Sequence, residues 1–256
     1  MHHSYFDEYS GLESPIHKLD PRVKIITLFA FILFIVFSKP TGYLSFFLYG
    51  CVLLVLIGFS GIPWSFVFRR SLVIIPFVLM IAVFIPFLKK GEVAGGYSLG
   101  SLRLEVTYDG LVVFGNVLIK AFLSILCVIL LMASTRFTRF LRALEKLRIP
   151  KIFTMILSFM YRYIFVVSEE LMQMQRAKES RSAGRAQWFH FKTLANILGV
   201  LFVKVYEKGE LVYMAMCARG FNGEIKDAGQ FMISAFDIIF ICLIFAVLST
   251  IRIFTG

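Results

Sequence analysis

The sequence predicts an all-α integral membrane protein, with about five transmembrane helices and a cytoplasmic helical region set between them. Three observations carry this. First, 59% of the 256 residues are hydrophobic, 16% are aromatic and the mean hydropathy is +0.81, whereas soluble domains hold about 45–50% apolar residues. Second, the apolar residues gather in blocks close to the roughly 20 helical residues that a hydrocarbon core requires. Third, residues 136–227 hold 16 of the 27 Lys and Arg but only 8 of the 16 Asp and Glu, so this interval carries +8 of the +11 net charge.

Five spans are expected, at about 23–37, 43–59, 72–88, 111–133 and 231–251. Leu19-Asp20-Pro21-Arg22 reads as a helix start, because Asp20 can accept from the first free amides and Pro21 suits the first helical position. Lys39-Pro40-Thr41 leaves a short link, making the first two spans a tight hairpin. The polar first twenty residues, and the lack of a small-residue cleavage site before Lys39, predict that the first span stays in the mature chain. Arg22, Lys24, Arg69, Arg70, Arg136, Arg139, Arg142, Lys146 and Arg148 fall on one side. Lys39, Lys89, Lys90 and Arg103 fall on the other, the last three diluted by Glu92, Glu105 and Asp109. The positive-inside rule then places the N-terminus and residues 134–230 in the cytoplasm, and five crossings place the C-terminus outside. The apolar run 152–167 contains Arg162 and reads as an interfacial or protein-packed helix rather than a further crossing. The expected organisation is therefore a four-span membrane domain over 1–134, cytoplasmic helices over 135–230, and a C-terminal transmembrane helix over 231–256.

Within the cytoplasmic interval, 136–147 is amphipathic and ends before Pro150. Residues 153–181 predict one long helix, apolar at first and polar after Ser168, with Gly184 as a stop. Residues 191–219 predict a second, with Leu198, Leu201, Phe202, Val205, Leu211, Met214 and Ala218 at helical spacing. Gly220 then supplies a C-cap. Each predicted helix ends in an arginine between small residues: Ser180-Arg181-Ser182 and, 38 positions on, Ala218-Arg219-Gly220. Small flanks admit a partner backbone, and a guanidinium grips a carboxylate with two parallel hydrogen bonds. Helix-dipole stabilisation of a last turn is the plainer explanation of either arginine taken alone.

Other features carry less. Cys51, Cys127, Cys217 and Cys242 are scattered without a CxxC pair, so neither a disulfide framework nor a zinc site is indicated. No GxxxxGK[ST] loop is present for nucleotide binding, and the basic charge has no nucleic-acid-reading motif. His2 and His3, with Asp7 and Glu8 nearby, offer at most a surface chelate. His17 is a third N-terminal histidine, and His190 beside Trp188 and Phe189 reads as an interfacial anchor. Lys120 and Asp237 lie within spans and are open to either a structural or a functional role. Met172, Met174, Met214 and Met216 precede the two arginines and fit ordinary packing or an adaptable contact. A membrane enzyme holding lipid-linked phosphates would use Lys120 or the cytoplasmic arginines, but no catalytic cluster accompanies them. A solitary secondary transporter would need paired intramembrane charges or an internal repeat.

Three stretches also resemble a known family. Leu19-Asp20-Pro21-Arg22-Val23-Lys24, Gln175-Arg176-Ala177-Lys178-Glu179-Ser180-Arg181-Ser182 and Met214-Ala215-Met216-Cys217-Ala218-Arg219-Gly220-Phe221 resemble the transmembrane T component of energy-coupling-factor (ECF) transporters, of the cobalt type called CbiQ. The family's usual Ala-Arg-Gly appears at 218–220, while serines replace Ala and Gly at 180–182. The resemblance implies a non-catalytic scaffold whose two coupling helices dock two cytosolic ABC-type ATPase subunits, and which also grips a substrate-binding S component in the membrane. ATP and magnesium would sit on the ATPases, with no cofactor or metal bound directly by this chain. The solute implied is cobalt or nickel, with a vitamin as the alternative.

Overall fold

The computed structural model describes residues 14–39, 42–88, 93–99, 102–181, 187–223 and 234–255. His2, His3, Ser182, Gly184 and the link residues Pro40 and Thr41 lie outside them. The described residues divide into two compact units, one within 4–143 and 231–256, the other within 144–230.

The larger unit is built from α1 (Pro15–Lys18), α2 (Pro21–Val36), α3 (Tyr43–Ser60), α4 (Trp64–Ala82), α5 (Ile85–Leu88), a hairpin of β1 (Val93–Leu99) and β2 (Leu102–Thr107), α6 (Tyr108–Ser134), the start of α7 (Phe137–Lys146), and α10 (Ala235–Thr255). Asp20 caps α2 as expected: its carboxylate accepts from the Arg22 amide at 2.8 Å, and Pro21 follows at the first helical position. At 27 residues α6 is the longest helix of this unit, and α2, α3, α4 and α5 all pack on it. Phe31, Ile35, Tyr49, Leu53, Ile57, Cys127, Leu130 and Leu248 are buried at the centre. Inside a bilayer such packing, rather than expulsion of water, holds helices together. At the α5–α6 junction a β-carbon on Gly110 would lie 2.7 Å from Pro86 Cα, so only glycine admits that approach.

Several expectations are revised. The third helix starts at Trp64, not near residue 72, because its backbone ladder runs through Arg69 and Arg70; the Arg70 guanidinium lies over the Phe66 ring at 5.0 Å. The first two spans touch through the edge-to-face pair Phe31–Tyr49, with ring centroids 5.9 Å apart, but each packs chiefly on α6 and α10 rather than on the other as a tight hairpin. The antiparallel hairpin, which pairs Gly96 with Glu105 and Leu99 with Leu102, is an addition to the helical fold. Five helices are long and apolar enough to span a membrane, as expected, but their membership differs. They are α3, the α4–α5 segment, α6, α8 and α10. The 16-residue α2 falls short in length, while α8 qualifies because helical structure runs on past Arg162.

The smaller unit holds the end of α7, α8 (Lys151–Arg181) and α9 (Gln187–Ala218). The last turn of α7 closes with Arg148 N–H on Glu145 O and Ile149 N–H on Leu144 O. Arg148 takes the left-handed conformation there, at φ 69°, and Pro150 then prevents continuation.

Candidate functional site

The two arginine cassettes end α8 and α9. In the second, α9 stops at Ala218 and Arg219 is its C-cap. Gly220 follows at φ 79°, with Gly220 N–H on Cys217 O at 2.9 Å and Phe221 N–H on Met216 O at 3.0 Å. This pair of bonds is a Schellman motif, which satisfies two carbonyls that a helix end otherwise leaves open. The cassette's spelling thus has a local cause. Glycine is required by the left-handed backbone, since nothing lies within 4 Å of where its β-carbon would be. Ala218, Arg219 and Gly220 are all exposed, so the guanidinium projects from a terminus locked by main-chain bonds. A Gly220→Ala substitution is expected to strain the cap by about 1 kcal/mol, since a β-carbon disfavours the left-handed region. Hydrogen exchange at residues 220 and 221 should then quicken about fivefold.

In the first cassette, Ser180 is exposed and its hydroxyl turns back to donate to Ala177 O at 2.9 Å. Arg181 is the last residue of α8. The two helices are joined upstream of both arginines. Glu170 on α8 accepts from Lys208 of α9 at 2.7 Å and from Lys204 at 3.3 Å. Each arginine lies 11 residues beyond its half of the Glu170–Lys208 pair, 170 to 181 and 208 to 219. At 1.5 Å per helical residue that is an arm of about 17 Å on each helix. Sequence reading placed Glu170 only at a wet helix end; the available signal was two lysines one turn apart on the second helix. A Glu170→Lys variant should separate the arms by like-charge repulsion, and adding Lys208→Glu should restore the contact. A cysteine pair placed across the crossing reports either outcome.

The remaining polar candidates serve the larger unit. Lys120 donates to Val36 O and Ser38 O, both at 2.8 Å, and so satisfies carbonyls at the end of α2. Asp237, left open between a structural and a functional role, is buried. Its Oδ2 accepts from Ser234 N–H at 2.8 Å and its Oδ1 from Asp20 N–H at 3.0 Å. His17 is buried with Nδ1 2.7 Å from Ser14 Oγ. His190 lies within α9. Among the described residues no group of three or more His, Cys, Asp or Glu side chains is placed to hold a metal.

Five helices long and apolar enough to cross a bilayer define the class as a multi-pass membrane protein. The family model described as cobalt transport protein, CbiQ, matches residues 13–231, and the chain belongs to this CbiQ/EcfT family. An uncharacterized protein of Methanocaldococcus jannaschii is 28% identical over 250 residues, covering 96% of this chain and 84% of the relative. Two proteins named energy-coupling factor transporter transmembrane protein EcfT are each 27% identical. The one from Limosilactobacillus fermentum aligns over 85% of this chain and 84% of its own. The one from Ruminiclostridium cellulolyticum aligns over 91% and 90%.

Proposed function

We propose that this chain is the non-catalytic scaffold of an ATP-driven importer of the energy-coupling-factor type, converting ATP hydrolysis in two cytosolic ATPase subunits into movement of a substrate-binding S component in the membrane. The observation that carries this reading is the pair of arginine-tipped arms of equal length beyond one ion pair. A long helix transmits displacement, and a guanidinium between small residues can seat on an acidic groove of a partner. Arg181 and Arg219 make the charged contact; Ser180, Ser182, Ala218 and Gly220 keep the approach open. ATP and magnesium are bound by the partners.

The orientation follows from the basic insert lying in the cytoplasm. Within the larger unit, Lys24 near the start of α2 reaches the carbonyl of Ser134 at the end of α6, while Asp237 near the start of α10 holds Asp20. Arg22, Lys24, Arg136 and Arg139 therefore collect at one end, which we assign to the cytoplasm.

The solute we favour is cobalt, from the description of the matching family, with nickel as a chemically similar ion; a vitamin is the alternative, since relatives named EcfT carry no metal in their names. Purification of this chain in mild detergent from its native membranes tests the scaffold role. It should yield a complex with ATPase subunits and a small membrane protein. A chain that transports alone would overturn it. Uptake of radioactive Co2+ by vesicles holding the whole complex distinguishes the solutes.

A further inference from the structure

Along the sequence, residues 144–230 are inserted between the two segments of the larger unit, and buried groups at the start of α2 hold the chain of the larger unit on either side of that insertion. On the outgoing side, Lys24 Nζ donates to the carbonyl of Ser134, the last residue of α6, at 2.9 Å, and to His17 O at 3.2 Å. On the returning side, Asp237 takes the Ser234 amide with one carboxylate oxygen and the Asp20 amide with the other. Asp20 is itself the N-cap of α2. Asp237 therefore completes the cap of α10 while tying that helix start to the start of α2, across 217 positions of sequence.

Lys24 is 3% exposed, Ser134 3%, Asp237 4% and Asp20 7%. At the Lys24–Ser134 and Asp237–Asp20 contacts water cannot readily replace the bond once stretched, because a buried charge or amide without a partner is costly, while Ser234 itself is exposed and is held through the buried Asp237. The far ends of the connections are main-chain atoms: Ser134 O, Ser234 N and Asp20 N. Each bond thus follows the position of the backbone rather than the rotamer of a surface side chain. Anything that shifts the chain at 134 or 234 pulls on the first turn of α2.

We propose that Lys24 and Asp237 form a clasp that passes displacement of the coupling insert into α2, and that both are positioning residues for transport. The proposal rests on the coupling function set out above. It assigns Leu19-Asp20-Pro21-Arg22-Val23-Lys24 a task separate from ATPase docking: that segment gathers the two flanks of the insert onto α2.

The experiment uses the full chain purified with its ATPase subunits, following hydrogen exchange at residues 15–26 with and without ATP plus vanadate. Wild-type protein should show a nucleotide-dependent change there. Lys24→Met, which keeps the length of the side chain and removes its charge, should retain the ATPase subunits and hydrolyse ATP within twofold of wild type. Its nucleotide-dependent change at 15–26 should fall at least tenfold. Asp237→Asn, close to isosteric, should give the same pattern and serves if Lys24→Met fails to accumulate. A Lys24→Met complex that responds like wild type overturns the clasp and leaves the coupling reading standing. Loss of docking and hydrolysis in proportion to the lost response also overturns it, because that marks a merely structural residue. A wild-type chain that binds no ATPase removes the coupling reading, and the clasp with it.

Discussion

Replacing Arg181 and Arg219 together by alanine is expected to release the ATPase subunits from the purified complex. Truncating one partner of a buried, hydrogen-bonded charge pair costs about 2–5 kcal/mol, much of it from the partner charge left unpaired. One such loss weakens docking by roughly 30-fold or more, and two at separate contacts approach additivity. The change leaves the helix end intact, because the cap at 219–221 is made by main-chain atoms: Gly220 N–H on Cys217 O and Phe221 N–H on Met216 O. Helicity and membrane insertion should therefore be preserved while co-purification is lost. Arg219→Lys separates charge from shape. An ammonium keeps the attraction but loses the planar fork, so docking should fall between wild type and alanine. Equal loss with lysine and alanine would assign the contact to the bidentate geometry alone.

The second large effect falls on Asp237. Alanine there leaves the buried Asp20 amide and the exposed Ser234 amide without their carboxylate, and removes a counter-charge from the neighbourhood of the buried Lys24. An unsatisfied buried donor costs about 1–3 kcal/mol, and breaking a buried charged network about 3–5 kcal/mol. We expect Asp237→Ala to destabilise the larger unit by about 3–5 kcal/mol, seen as a lower unfolding midpoint in detergent. Asp237→Asn should cost less, since its carbonyl oxygen can still accept one of the two amides. Ser234→Ala should cost little, because only its backbone amide is used in the contact with Asp237.

What could be read from the sequence was what is local. Asp20-Pro21 announces the start of α2, and Gly220 announces the end of α9, because each is decided within four residues. The break at Pro150 and the length of α8 follow in the same way. Contacts between distant segments were not legible. Nothing near Lys24 names Ser134 as its acceptor, 110 residues on, and nothing near Asp237 names Asp20. Lys24 read only as one of the cations that set sidedness, and Asp237 as a charge within a span with no partner named. Glu170 was similarly hidden, because an exposed carboxylate on a polar helix face is common and only the crossing of α8 and α9 selects its lysines. Hydropathy also misjudges helix ends: Arg69 and Arg70 interrupt the apolar signal but not the backbone ladder of α4. The same signal favoured the short α2 over the longer α8 as a span. The β1–β2 hairpin was missed because glycine at positions 95 and 96 blurs the alternation that announces a strand.

The central claim is that the ends of α8 and α9 face the cytosol and lie under the ATPase subunits. Cys217 offers a native probe, being exposed and two residues before Arg219. In a Cys242→Ser background, a membrane-impermeant thiol reagent should label Cys217 in inside-out vesicles stripped of peripheral subunits but not in intact cells. Adding back the ATPase subunits should protect it. Labelling from outside intact cells, or labelling indifferent to the added ATPases, would contradict the account.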